Sequence, residues 1–194
     1  MLKQQKKGLV LVGLGILLLA CSLVLHLADQ KQDDLAEKNA QVLLEQLELN
    51  RIPLSDTEQT SENRDMPTVE YMGFSMIGTL RMDAVGIKLP VLENWSYEQL
   101  NVAPCRYAGS VHDSMILMGH NYKSHFTPLH QAEIGMSVVF EDVNGQAYHY
   151  VVDAIEKLGK NQGEGLPSDH DLILFTCTPG GQNRLVIRCS RVQA

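Results

Sequence analysis

The chain has 194 residues, a formal net charge of −7 and a sequence pI near 5.4, with 44% hydrophobic and 20% charged residues. That composition belongs to a globular protein and excludes a disordered or fibrous chain. The acidic balance argues against a nucleic-acid binder, which works through a basic footprint.

The charge is unevenly placed. Residues 1–7, MLKQQKK, carry three lysines and no acid, and residues 8–28 contain no Asp, Glu, Lys or Arg. Gly8 to Leu25 is an 18-residue apolar run, broken by His26 and extended by Leu27 and Ala28. At ~1.5 Å per residue, ~20 such residues span a hydrocarbon core of ~30 Å. Residues 8–28 therefore read as a transmembrane signal anchor. The tail 1–7 is cytoplasmic by the positive-inside rule, and the remainder faces outward. A cleaved secretory signal is disfavoured because no clear small-x-small site follows. Leu18-Leu19-Ala20-Cys21 is similar to a lipobox, but Leu19 is atypical there and the apolar run continues past Cys21.

Residues 29–50 read as a helix with an imperfect stripe of Leu35, Val42, Leu43, Leu47 and Leu49. Residues 51–70 are polar with two prolines and read as a flexible spacer. Together 29–70 form an extracytoplasmic helix and spacer, and 71–194 a folded domain. Seven of the sixteen basic and eleven of the twenty-three acidic residues precede Tyr71, so the outer domain is only mildly acidic.

From Tyr71 the pattern turns to β. Short apolar runs recur at 77–82, 86–92, 114–121, 137–143, 147–158, 171–178 and 184–192, and Asn144-Gly145 gives a hairpin signal between two of them. Seven or so strands in this length predict an all-β closed barrel or sandwich. Short helical segments are expected near 96–100 and 126–132.

Cys177 ends the run 172–176 and is followed by a turn-rich segment, Thr178 to Asn183, before a second strand starts at Arg184. If the two strands form a hairpin, Cys177 and Arg184 face each other on one side of the sheet. Arg188 shares that parity but lies roughly 14 Å further along at ~3.4 Å per residue. Arg191 has the opposite parity. A thiolate is a nucleophile for acyl transfer, and a guanidinium can hold the oxyanion of a tetrahedral intermediate without acting as a base. A proton donor for the leaving amine is then needed. His120, at the end of the buried-looking run 114–119, is the candidate. The bland alternatives are a buried core thiol, an edge arginine and a turn histidine. His120, His125 and His130 recur every five residues, which fits neither a helix face nor a zinc spacing, so no metal or cofactor is expected. No G-x-S-x-G elbow is present for serine chemistry.

In combination these segments resemble the sortase family of cysteine transpeptidases. Leu174-Phe175-Thr176-Cys177-Thr178 is similar to the family's T-L-x-T-C nucleophile motif. Gly119-His120-Asn121 and its continuation to Leu129 resemble the histidine segment. Arg184 to Ile187 resembles the strand opened by the catalytic arginine, and Ile77 to Leu80 with Leu89-Pro90-Val91 resembles the opening strands. The similarity spans about 75–192. It implies a closed β-barrel of about eight strands preceded by the membrane helix. It also implies a single-pass protein of a Gram-positive-type bacterium with its catalytic domain outside.

The implied activity is cleavage of an LPxTG-like C-terminal sorting signal on secreted proteins. It proceeds through a thioester and transfers the protein to an amine of a peptidoglycan precursor or a pilin. Cys177 would be the nucleophile, Arg184 the oxyanion stabiliser with a nearby backbone N–H, and His120 the acid and base. Thr176 would face the opposite side in a supporting role. The loop 178–183 is compact beside many relatives. Gly119-His120-Asn121 is similar to the class B pattern, whereas Thr176-Cys177-Thr178-Pro179 is similar to pilus and housekeeping-like classes, including class D-like features. No Asp-Pro-Trp lid motif is visible, which weakens the pilin-polymerase reading. Cys105 and Cys189 read as buried free thiols or as a disulfide with each other, with free thiols preferred. A non-catalytic tethered β-domain that binds cell wall or a surface protein is the competing function. An L,D-transpeptidase lacks its S-x-G-C context here, and the His-before-Cys order disfavours papain-like peptidases.

Overall fold

The computed structural model describes residues 2–49, 66–159 and 170–192, with side chains described from residue 12 onward in the first segment. The chain divides into two units, 1–35 and 36–194. The first unit lies within a helix, α1 (Leu2–Leu49), which has an N-terminal apolar stretch long enough to cross a membrane. The second unit contains the rest of α1 and a nine-stranded sheet.

The strands are β1 (Val69–Tyr71), β2 (Phe74–Met82), β3 (Ile87–Leu92), β4 (Cys105–Ala108), β5 (Met115–Met118), β6 (Ser137–Asp142), β7 (Ala147–Gly159), β8 (Leu172–Cys177) and β9 (Asn183–Arg191). Their order is β1-β2-β3-β4-β5-β8-β9-β7-β6, and β2 also pairs with β6. That last pairing closes β2 to β9 into an eight-stranded barrel, with β1 added to the end of β2. Closure removes the sheet edges that would otherwise expose unpaired backbone groups. At the seam Gly78 lies opposite Asp142, and a Cβ there would lie 2.1 Å from the carbonyl oxygen of Glu141, so only glycine lets the strands meet.

Period-two patterning fills the interior. Leu80, Leu89, Val91, Leu117, Phe140 and Leu174 are all buried in one central cluster. A smaller outer cluster of Ile116, Ile173 and Val186 comes from the opposite faces of β5, β8 and β9. Asn144-Gly145 makes the β6–β7 hairpin, with Gly145 at φ 86° and Asp142 Oδ1 accepting from the N–H groups of Asn144 and Gln146.

All seven apolar runs are strands. The sequence pattern missed β1 and β4. The first is three residues long inside the segment read as spacer. The second has no alternation, because a register shift falls between Arg106 and Ala108. Residues 51–65 of the spacer reading lie outside the described residues, but Met66 is buried in the barrel core. The helix read over 29–50 is described as far as Leu49, and of the expected stripe only Leu43 and Leu47 are buried. Ala36, Ala40, Leu43 and Leu47 are buried, whereas Leu35 (51%), Val42 (44%) and Leu49 (70%) are exposed. Small alanines let the helix approach the barrel closely, so size complementarity overrode the larger apolar side chains. The short helix α2 (Tyr97–Leu100) starts where Ser96 Oγ accepts from the N–H of Gln99, and a 3₁₀ turn occupies Thr127–Gln131.

Candidate active site

Cys177 and Arg184 are partners in register across the β8–β9 hairpin. Both carry the outward parity of Ile173 and Val186, so their side chains leave the barrel on the same face. The loop between them is tied by Thr178. Its N–H donates to Asn183 O at 3.0 Å, its hydroxyl exchanges hydrogen bonds with Asn183, and its carbonyl accepts from Gly181 N–H at 2.8 Å. The Thr178 N–H is therefore already used within the loop. Arg184 Nη1 donates to Gly181 O and Asn183 O, each at 3.3 Å. One end of a five-donor fork thus fastens to the loop, leaving the N–H groups of Nε and Nη2 outside that clamp.

His120 reaches the same place by a different route. β5 and β8 are parallel, with Met118 opposite Phe175, and the N–H of Gly119 donates to Phe175 O at 3.2 Å. The ladder ends there, so His120 opens the loop that follows β5, next to the end of β8 that carries Cys177. The histidine loop is knitted to itself. His120 O accepts from Phe126 N–H, Tyr122 O accepts from the N–H groups of His125 and Thr127, and Asn121 O accepts from the Thr127 hydroxyl. A Cβ on Gly119 would lie 2.7 Å from the buried Phe126 ring, which explains the glycine before His120. Desolvation holds the His120 imidazole below the ordinary histidine pKa and favours its neutral form.

Cys177 and Arg184 thus face each other across β8 and β9, and His120 follows the end of β5, the strand that flanks β8 on its other side. The other arginines go elsewhere. Arg188 lies opposite Ile173 and forks onto Glu156 at 3.2 and 3.3 Å. The guanidinium of Arg191 donates to Val111 O and lies 5.0 Å from the Tyr148 ring centroid. Thr176 points inward and is buried, with no partner for its hydroxyl among the described residues. His125 is 1% exposed, and His130 is exposed at the end of the 3₁₀ turn. Cys105 and Cys189 are buried free thiols in separate clusters, and burial pushes each up to about 12.

Sequence reasoning missed an aromatic row beside the pair. Phe175 meets Tyr107 edge-on at 5.9 Å, Tyr107 meets Trp95 at 5.7 Å, and Trp95 meets Tyr97 at 6.1 Å. Phe175 was within reach, because it lies two residues before Cys177 and shares its face. Tyr107 was not, because it sits on the short, bulged β4.

The profile of the sortase domain matches residues 80–192. No curated protein matches the chain. Among solved structures, it is similar to Streptococcus agalactiae sortase C1 in complex with MTSET, at 23% identity over 61% of this chain and 70% of that one, TM-score 0.54. It is similar to a Clostridium perfringens sortase D5 transpeptidase at 13% identity over 82% and 99%, TM-score 0.61. It is also similar to Listeria monocytogenes sortase A at 16% identity over 61% and 88%, TM-score 0.55. At such identities the structural likeness establishes the shared barrel.

Proposed function

Because the chain belongs to the sortase family of cysteine transpeptidases, we propose that it cleaves an LPxTG-like sorting signal and joins the released carboxyl end to an amine of the cell wall or a pilin. The observation that carries this reading is the in-register Cys177–Arg184 pair, with His120 following the end of the strand that flanks β8. The Cys177 thiol passes its proton to the neutral His120 ring as its sulfur attacks the carbonyl carbon of the Thr–Gly bond. Arg184 N–H groups hold the oxyanion that forms. His120 gives a proton to the departing amine, the C–N bond breaks, and a thioester remains on Cys177. An incoming amine then attacks the thioester, His120 takes its proton, and the thiolate leaves. The row from Phe175 to Trp95 offers apolar surface to the signal on its way to Cys177. Helix 8–28 holds the domain at the outer membrane face, where secreted precursors emerge.

The test offers the full chain in detergent a library of LPxTG-like peptides with several amines and reads the products by mass spectrometry. The expected result is an amide between the threonine carboxyl and the amine, with a thioester adduct on Cys177. Cys177→Ala should be folded and inactive. Full cleavage by that variant overturns the mechanism.

A further inference from the structure

The Tyr122 ring meets two imidazoles. Its ring centroid is 4.8 Å from that of His120 at an interplanar angle of 35°, and 5.3 Å from that of His125 at 49°. Its hydroxyl donates to Asn101 Oδ1 at 3.0 Å. Asn101 is itself held, because it caps α2 through its backbone N–H. His125 is buried at 1% exposure, with the backbone of Val102 and Ala36 beside its ring. An imidazole in that setting contributes a flat, uncharged surface. The Tyr122 ring is therefore held at its hydroxyl by Asn101 and against the buried His125, and it also meets the His120 ring.

We propose that Tyr122 is a positioning residue that sets the plane of the His120 ring through this His–Tyr–His stack. The inference rests on the reading of His120 as the acid and base of the reaction. A histidine that must face a leaving amine and then an incoming one has to keep one orientation through both half-reactions. Backbone hydrogen bonds place the Cα of His120 but leave its side-chain torsions free. The Tyr122 face restricts those torsions and receives the imidazolium that forms on protonation, by the attraction of a cation to an aromatic face.

The test reads His120 directly, by NMR of the full chain in detergent with ¹³Cε1-labelled histidine. The His120 signal is assigned from His120→Gln. Loss of the ring in Tyr122→Leu should move the His120 signal towards that of a free histidine. Tyr122→Phe, which keeps the ring, should retain most of the parent shift. Transpeptidation on the same variants should show kcat reduced on the order of tenfold to a hundredfold in Tyr122→Leu with KM unchanged, and largely recovered in Tyr122→Phe. An unmoved His120 signal in folded Tyr122→Leu overturns the proposal, as do equal losses in the Leu and Phe variants. If the signal moves as expected while His120→Gln keeps full turnover, the positioning stands and the acid–base role of His120 falls.

Discussion

Cys177 and Arg184 sit directly opposite each other across the β8–β9 hairpin, and Arg184 is fastened to the loop that joins them through Gly181 O and Asn183 O. The guanidinium is thus held against the loop, and the Arg184 Cα lies across the ladder from that of Cys177. An oxyanion donor that needs no reorganisation at the moment of reaction is worth more than a mobile one.

Arg184→Ala should therefore lower kcat by ~10²–10³-fold, as loss of one oxyanion donor does elsewhere. Arg188→Ala breaks the fork to Glu156 and should cost about 1 kcal/mol of stability while turnover stays unchanged. Steady-state kinetics with urea midpoints on both variants separates the two effects. A reversed pattern would show that the register does not select the functional arginine.

Gly119→Ala should destabilise the protein by ~1–3 kcal/mol and reduce turnover, because the new methyl meets the buried Phe126 ring under His120. The added change Phe126→Leu should recover part of both losses. Thermal unfolding and peptide cleavage on the single and double variants check this.

Acid should weaken the fold through His125. Burial first and the neighbouring His120 second lower its pKa to about 4. Unfolding returns it to the ordinary ~6.5, so the unfolded state binds the proton more readily. The stability is fully present above pH ~6.5 and is lost as pH falls towards 4, by roughly 3 kcal/mol for this group. Urea midpoints at pH 7 and pH 4.5 should differ less for His125→Leu than for the parent. An equal difference would show that other groups carry the acid sensitivity.

Thiol labelling should sort the four cysteines. Cys177 is half-buried, Cys21 lies in the apolar helix that lipid or detergent covers, and Cys105 and Cys189 are buried and held protonated by desolvation. In the native chain in detergent at mildly alkaline pH, an alkylating reagent should modify Cys177 ahead of Cys21. The other two should react only after denaturation. Peptide mapping of the labelled protein decides it, and early modification of Cys189 would contradict the packing of β9.

Alternation and turn chemistry are local, and they were legible in the sequence. Strand parity on either side of residues 178–183 already placed Cys177 against Arg184, put Thr176 on the other face and set Arg188 too far away. The apolar stretch after the lysine flank marked a helix long enough for a membrane. The period-two runs named seven strands.

What depended on contacts between distant segments had to wait for the fold. His120 comes to the end of the sheet that carries Cys177 only because β5 pairs in parallel with β8, across the intervening β6 and β7. No local pattern encodes that pairing. The helix presents Ala36 and Ala40 rather than Leu35 and Val42, because the shape of the opposing barrel wall decides which face can approach. The ring of Tyr122 finds His120, His125 and Asn101 through a loop whose course is set by Phe126 in the core. Residue types and spacing determined which groups could react and which neighbours share a face. Tertiary packing decided which of them meet, because orientation at a site is fixed by the close-packed surroundings of each side chain.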